Sequence, residues 1–277
     1  MPEANITMMK GMENAERREP GLLVGRDGHV AIVVLDRPER ANSFNAAMLD
    51  RLQALWLELD ADPQVRCIVM GTAVKRFFCT GRDLKEAVDI GVGGDRSMSR
   101  EPLFTSRLAG VWKPLICAVE GMAVGGGLNF VLDADIAIAG KSATFLDPHV
   151  DIGQVAGRSS LALARKVGLG NALYLTLAGG GIRWDAQRAM QHGLLQEVVE
   201  DGNALARAIE LGHLVARNSP SAVSKTMEAL WSYADSGNFE QALRHTWVLL
   251  RRQRDHPDSK EGPLAFGEKR DPVWHVR

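Results

Sequence analysis

The sequence predicts an α/β fold with an all-helical C-terminal region. Short apolar runs rich in β-branched residues, such as Val65–Met70 and Leu115–Val119, are typical of buried strands. Segments with helical spacing of apolar residues separate these strands, and such alternation is typical of α/β folds. Beyond residue 200 only helical patterns remain. We therefore divide the 277 residues into a flexible tail at 1–20, a core at 21–200 and a helical region at 201–277.

The core is predicted to open with a β-hairpin. Two apolar runs, Leu22–Gly25 and His29–Leu35, flank Asp27-Gly28, a pair that favours tight hairpin turns. A loop then leads to the first helix.

That helix is predicted to follow Asn45, a residue type that caps helix N-termini well. Asp62-Pro63 ends it, because proline cannot continue a helix. The apolar residues between these ends recur at helical spacing: Met48, Leu52, Leu55 and Leu59.

The rest of the core repeats the strand and helix pattern loosely. Ile136–Ala139 and Leu195–Val199 are predicted strands, and Leu128–Leu132 is a predicted helix after a Gly-rich turn. No exact repeat and no low-complexity tract is present in the sequence.

The C-terminal region is predicted to be an appendage of helices. Asn203–Arg217 has a helical pattern, and Ser219-Pro220 is typical of a helix start. The charged stretch at 251–263 is predicted to be exposed. Two apolar stripes need a partner surface, in the core or in another subunit: Val223, Met227, Leu230 and Ala234, then Phe239, Leu243, Trp247 and Leu250.

Charge and hydropathy exclude several classes of function. The formal net charge of −1 gives no basic excess for a general nucleic-acid binder. No apolar run approaches the ~20 residues that cross a bilayer. The N-terminal stretch mixes acidic and basic residues, unlike a secretory signal or a transit peptide. We expect a cytoplasmic protein with neither nucleic-acid nor membrane partners.

The cysteines and histidines give no sign of a disulfide framework or a metal site. Cys67, Cys79 and Cys117 are odd in number, lack a CxxC pair and lie in apolar stretches typical of buried thiols. Cys79 has the alternative of acting as a nucleophile, because it lies near the proposed site. The seven histidines are scattered and form no HExxH motif.

The first motif with chemical content is the segment 77–85, FFCTGRDLK. Gly81 permits a sharp backbone turn that other residues cannot make. Such a turn can leave the N–H of Arg82 unpaired and directed into a cleft. The alternative is an ordinary connection from a strand to a helix.

The second motif is the segment 120–129, EGMAVGGGLN, with three glycines between a strand and an apolar helix. Backbone N–H groups at a helix N-terminus carry partial positive charge and bind anions. A dinucleotide fingerprint from Gly125 would need glycine at position 130, where Phe130 stands.

Together these motifs resemble the crotonase (enoyl-CoA hydratase/isomerase) family. The resemblance covers roughly residues 20–275. It rests on five blocks: Arg37–Phe44, Phe78–Lys85, Gly121–Asp135, Ala143–Gly157 and Glu261–Arg270.

The resemblance implies a crotonase-like spiral of ββα units with a helical C-terminal trimerisation region, whose trimers often pair into hexamers. It implies an acyl-CoA substrate and no separate cofactor, because coenzyme A is part of the substrate. The thioester oxygen would lie between the N–H groups of Arg82 and Gly126, an oxyanion hole for an enolate-like anion. Other residues would contact the bound substrate: Arg40, Ala41, Thr80, Gly81, Leu84 and Gly125.

The sequence departs from the family at the two glutamates that its hydratases use as acid and base. The matching positions are Asn129 and His149. Asn129 cannot transfer a proton, although it can position water or substrate. His149 can act as the base, because an imidazole pKa of ~6.5 suits proton transfer at neutral pH.

A histidine at this position is similar to that of crotonase-family carbon–carbon hydrolases. The carboxylate that supports it there would fall near Arg158, which is not acidic. Asp147 and Asp151 are the nearest carboxylates in the sequence, but residues two apart on an extended chain point in opposite directions. Only a bend would let either one orient the ring.

Three functions follow as hypotheses. The first is an acyl-CoA lyase that adds or removes water, or a hydrolase, with His149 as acid and base. The second is a double-bond isomerase, which needs only one base. The third is a protein that binds acyl-CoA without catalysis, as Asn129 suggests. The long segment Asp89–Arg107 is either a substrate loop or a simple connection.

Overall fold

The computed structural model describes residues 12–13, 16–18, 21–83, 85 and 103–275. Its strands are β1 Glu16–Arg18, β2 Leu22–Asp27, β3 Val30–Leu35, β4 Cys67–Thr72, β5 Phe77–Cys79, β6 Leu115–Val119, β7 Met122–Val124, β8 Ile136–Gly140, β9 Thr144–Leu146, β10 Trp184–Asp185 and β11 Glu197–Val199.

The α-helices of this part of the chain are α1 Ala46–Ala61, α2 Leu128–Asp133, α3 Gly157–Val167, α4 Leu169–Leu177, α5 Ala186–Gln191, α6 Ala204–Ala216, α7 Pro220–Ser236, α8 Phe239–Arg254 and α9 Asp258–Glu268. Single-turn 3-10 helices lie at Pro38–Arg40, Gly125–Gly127, His149–Ile152 and Gly179–Gly181.

The strands form two sheets. The larger has the order β1-β2-β3-β4-β6-β8-β11 and is parallel from β3 onward. The smaller has the order β10-β9-β7-β5, in which β5, β7 and β9 are parallel. Because parallel strands end at the same edge, the segments that follow β5 and β7 emerge side by side.

Both faces of the larger sheet are buried, as a parallel sheet requires. Alternate residues of β3 belong to different cores. One core fills the space toward α1 and α2 and includes Ala31, Val33 and Leu35. The other lies beneath α6 and includes Val30, Ile32 and Val34.

The predicted hairpin is present, with Asp27 paired to Val30 and a left-handed Gly28 at φ 57°. Helix α1 begins after Asn45, whose side chain accepts a hydrogen bond from the Met48 N–H at 3.0 Å. The prediction of an α/β fold is confirmed.

Other segments differ from the sequence prediction. The helices α3, α4 and α5 are absent from the sequence prediction, because at 11, 9 and 6 residues each shows only a few turns of helical spacing. Strand β1 lies in the predicted tail and pairs with β2. The stretch predicted to be exposed is exposed or half-buried except at Asp258, which α9 buries and which accepts a hydrogen bond from Ser219.

The C-terminal helices keep the predicted apolar stripes on their surface. Leu230, Phe239 and Trp247 are 65%, 69% and 51% exposed. More than half of each of these residues is therefore left accessible by the described chain. No helix of the described residues is long and apolar enough to cross a membrane.

The glycine turn after β7 packs directly on the backbone of β5. A Cβ atom on Gly127 would lie 2.3 Å from the Cys79 carbonyl oxygen, far inside van der Waals contact. The close approach of these two segments therefore requires glycine at this position.

We expect Gly127→Ala to destabilise the fold by about 1–3 kcal/mol, because the added methyl must push two backbone segments apart. Gly170→Ala is the matched control, since Gly170 lies in α4 with nothing within 4 Å of an added Cβ. That change should stabilise by up to ~1 kcal/mol through helix propensity. Urea denaturation measures the free energy of unfolding of both variants. Equal values for the two would contradict the close contact between Gly127 and the Cys79 backbone.

Candidate active site

Two glycine turns meet at the edge of the smaller sheet. Gly81 follows β5 with φ +85°, and Gly125 opens the turn after β7 with φ +51°. A Cβ atom on Gly81 would lie 3.0 Å from the Gly126 nitrogen and 3.5 Å from its Cα. The two backbones are thus in contact, and a side chain on Gly81 would separate them.

The N–H groups of Arg82 and Gly126 are left available at this junction. The backbone N–H of Phe44 donates to the Gly81 carbonyl at 2.8 Å, and the Phe44 carbonyl accepts from the Asp83 N–H at 2.9 Å. In this parallel bridge the N–H of Arg82 points away from Phe44. Gly126 lies in the first turn of a 3-10 helix, where N–H groups lack intrahelical partners. No backbone acceptor for either group lies in the described chain.

The loop before α1 is held against this junction by Asn42, which is fully buried in a left-handed conformation at φ 55°. Its amide donates to Thr72 Oγ1 at 2.8 Å and to the Phe78 carbonyl at 3.0 Å. Its Oδ1 accepts from the Arg37 N–H at 2.7 Å. Asn42 thereby fixes the loop to both sheets.

The predicted substrate-binding residues of this loop lie together. Thr80 Oγ1 donates to the Ala41 carbonyl at 3.1 Å, and Ala41 is left-handed at φ 51°. Arg40 is exposed, with its Nε 3.9 Å from the buried Asp83 carboxylate. Leu84 and most of the predicted substrate loop lie outside the described residues.

His149 lies against the second glycine turn. A Cβ atom on Gly125 would be 3.5 Å from His149 Cε1. The imidazole Nδ1 is hydrogen-bonded to Asp147 Oδ1. The bend needed for this contact occurs at Pro148, with φ −92° and ψ 15°, just before the single turn His149–Ile152. The structure therefore brings His149 beside the Gly125–Gly127 turn.

The partner of His149 is Asp147 and not Asp151. The Asp147 side chain is fully buried, and its Oδ2 lies 3.2 Å from Ser159 Oγ. Asp151 instead accepts from the Gly180 N–H at 2.7 Å. The hydrogen bond that His149 makes to the Asp147 carboxylate raises the pKa of His149 above its usual 6.5, and this outweighs the opposing effect of burial.

Asn129 is fixed at both ends of its amide. Its Nδ2 donates to the Gly126 carbonyl at 3.0 Å, and its Oδ1 accepts from Arg158 Nη1 at 3.2 Å. Arg158 also contacts both oxygens of the buried Asp133, at 2.7 and 2.8 Å. Asn129 therefore lies directly behind the glycine turn.

The alternative of a nucleophilic Cys79 is wrong. Cys79 is fully buried, and burial raises the pKa of its thiol to about 12. Its Sγ donates to the Asn42 carbonyl at 3.1 Å. The thiolate needed for attack is not available at neutral pH.

Sequence reasoning missed Asn42, Ser159 and the contact of Arg158 with Asn129. The signal for Asn42 was its place in the block Arg37–Phe44, but its packing partners come from distant strands. Arg158 was considered only as a missing carboxylate. Within the described residues no group of three His, Cys, Asp or Glu side chains could hold a metal ion.

The architecture is that of the crotonase fold. The crystal structure of an enoyl-CoA hydratase/isomerase from Mycobacterium paratuberculosis superposes with a TM-score of 0.83 at 34% identity. The alignment covers 93% of this chain and 98% of that chain. The predicted spiral of ββα units is thereby confirmed.

The sequence model of the enoyl-CoA hydratase/isomerase family matches residues 25–277, and the chain belongs to this family. Among its relatives, the mevalonyl-coenzyme A hydratase of Aspergillus fumigatus is 35% identical over 89% of this chain and 91% of that protein. The enoyl-CoA hydratase EchA19 of Mycobacterium tuberculosis is 34% identical over 93% of this chain and 97% of that protein. The prediction of an enzyme of this family is confirmed.

Proposed function

We propose that the protein is an enoyl-CoA hydratase-like lyase that adds water to, or removes it from, the acyl group of an acyl-CoA thioester. The observation that supports the proposal is the backbone contact between Gly81 and Gly126, a junction at which the N–H groups of Arg82 and Gly126 have no backbone partner among the described residues. The thioester oxygen lies between the N–H groups of Arg82 and Gly126. These residues and His149 form the site.

The two N–H groups stabilise the negative charge that develops on the thioester oxygen. Preorganised donors of this kind contribute about 3–4 kcal/mol each to transition-state stabilisation. They lower the barrier both for attack at the β-carbon and for proton removal at the α-carbon. Because the donors belong to the backbone, no side-chain functional group has to supply them.

His149 supplies the proton transfer. Nδ1 of His149 is hydrogen-bonded to Asp147, so the other ring nitrogen, Nε2, is the one that exchanges a proton with the substrate. In hydration, Nε2 takes a proton from water as the water oxygen bonds to the β-carbon. The imidazolium then returns that proton to the α-carbon of the enolate, and one water is added in total. Asn129 transfers no proton in this scheme.

The relatives support water chemistry over the other hypotheses. The two relatives described above are named as hydratases, of mevalonyl-coenzyme A and of enoyl-CoA. The present chain differs from the two-glutamate pattern of the family's hydratases, so it must use a different acid and base on the same scaffold.

The remaining expectations belong to the same proposal. The substrate brings coenzyme A with it, so no separate cofactor is needed. The exposed apolar side chains Leu230, Phe239 and Trp247 are the surface on which further copies would form a homotrimer or hexamer. Location in the cytoplasm stays a prediction.

Replacing His149 by alanine should lower kcat by about 10²–10⁴-fold, the usual contribution of a general acid or base. Binding of free coenzyme A should be unchanged, because the ring lies at the acyl end. Steady-state kinetics and calorimetry measure the two effects. His29→Ala, at the turn between β2 and β3, is the control. Unchanged turnover in the His149 variant would refute its role.

The dependence of kcat on pH should reflect the pKa of His149, which the hydrogen bond to Asp147 raises. His149 takes a proton only in its neutral form, so kcat should fall as pH drops through a pKa above 6.5. Asp147→Asn removes the carboxylate that raises this pKa and should move the acidic limb to lower pH. Asp151→Asn, whose side chain contacts Gly180, should leave the limb in place. If the acidic limb of the kcat profile stays in place in the Asp147 variant, Asp147 does not control the pKa of the catalytic base.

Double-bond isomerisation is the second candidate, favoured because Asn129 is bound to Gly126 and Arg158 and leaves a single base. Mass spectrometry of products formed in heavy water separates the two reactions. Hydration should yield a product heavier by one water, whereas isomerisation yields only exchanged hydrogen at the original composition. The second result would replace the first proposal.

A further inference from the structure

Arg158 is hydrogen-bonded to two side chains on one face of α2, and one of them, Asn129, is also hydrogen-bonded to the glycine turn. Asn129 and Asp133 are four residues apart on α2 and therefore point the same way. Arg158, in the first turn of α3, donates to Asn129 Oδ1 at 3.2 Å and to both Asp133 oxygens. Its side chain is 24% exposed, while that of Asp133 is fully buried.

The guanidinium decides which way the Asn129 amide faces. An arginine side chain has donors and no acceptor, so only the amide oxygen can meet it. The amide nitrogen must then face the Gly126 carbonyl, as observed at 3.0 Å. The reversed amide would place nitrogen against the guanidinium and oxygen against the carbonyl, and both contacts would be repulsive.

The Asn129 amide adds a side-chain anchor to the Gly125–Gly127 turn, whose Gly125 and Gly126 carbonyls also accept from the Leu128 N–H. Three consecutive glycines have no Cβ to restrict their φ and ψ angles. The Asn129 amide bonds to the middle residue, whose N–H is one of the two proposed oxyanion donors. Holding the Gly126 carbonyl limits rotation of that residue and so limits the direction of its N–H.

Arg158 is itself held in place. Asp133 is buried and is also hydrogen-bonded by Thr105 Oγ1 at 2.5 Å, so its carboxylate is fixed from two sides. Arg165 lies further away, 3.8 Å from the same carboxylate, and its own close partner is Asp235. The contact with Asn129 is made by Arg158.

We propose that Arg158 is a positioning residue of the oxyanion hole: it orients the Asn129 amide, which holds Gly126 with its N–H directed at the thioester oxygen. The inference rests on the proposed function. It gives Asn129 a role that needs no proton transfer and gives Arg158 a role that a carboxylate at that position could not fill.

The test is the carbonyl stretching frequency of bound butyryl-CoA, labelled with a heavy isotope at the thioester carbon. In the wild-type protein, hydrogen bonds in the hole should lower this frequency relative to the ligand in water. Arg158→Met should shrink the lowering and reduce kcat about tenfold, less than the loss of an oxyanion donor outright. Free coenzyme A should bind as before. Arg165→Met is the matched control and should keep the wild-type frequency.

Further variants cover the case in which Arg158→Met fails to fold because Asp133 loses its partner. Arg158→Met with Asp133→Asn removes the buried charge as well. Asn129→Leu should shrink the frequency lowering, and adding Arg158→Met to Asn129→Leu should change it no further, since Arg158 acts through Asn129.

The outcomes separate the inference from the function it rests on. A wild-type protein that does not lower the carbonyl frequency would overturn the oxyanion hole itself. A wild-type lowering that survives both Asn129→Leu and the Arg158 variants would leave the hole standing and overturn the positioning role. An additive effect in the combined Asn129 and Arg158 variant would show that Arg158 acts by another route.

Discussion

The close approach of the Gly81 and Gly126 backbones governs the geometry of the whole site. Strands β5 and β7 are parallel neighbours, so the turns that follow them leave the sheet at one edge. A Cβ atom on Gly126 would lie 2.9 Å from the Phe44 ring and 3.4 Å from the Gly81 Cα. With glycine at both positions the turns touch, and two peptide N–H groups from distant parts of the chain become neighbours.

A site built from peptide groups allows side chains to change around it. The His149–Asp147 pair requires only a local bend at Pro148 and leaves the strands β7 and β9 in register. The Asn129–Arg158–Asp133 chain likewise sits behind the turn on α2 and α3. Both departures from the two-glutamate pattern are therefore accommodated without altering the strands that carry the two glycine turns.

The C-terminal helices connect to this scaffold through Trp231 of α7. Its indole N–H donates to Asp135 Oδ1 at 2.6 Å, next to the start of β8. The guanidinium group of Arg107, on the segment before β6, lies 4.7 Å from its ring, and that of Arg165, on helix α3, lies 4.3 Å from it. Cation–π contacts of this kind favour a fixed position for α7. Large apolar side chains on the outer side of α7 and α8 remain exposed.

The sequence by itself determined the α/β class, the hairpin, helix α1, the two glycine turns and the positions of His149 and Asn129. Each of these has a local cause: a residue period, a capping side chain, or a glycine where no other residue fits. Tertiary structure alone decided that Asp147 supports His149, that Cys79 is inert, and that Arg158 holds Asn129. Those contacts depend on a bend, on burial and on helices packed side by side, and none of the three is encoded in the spacing of residues along the chain.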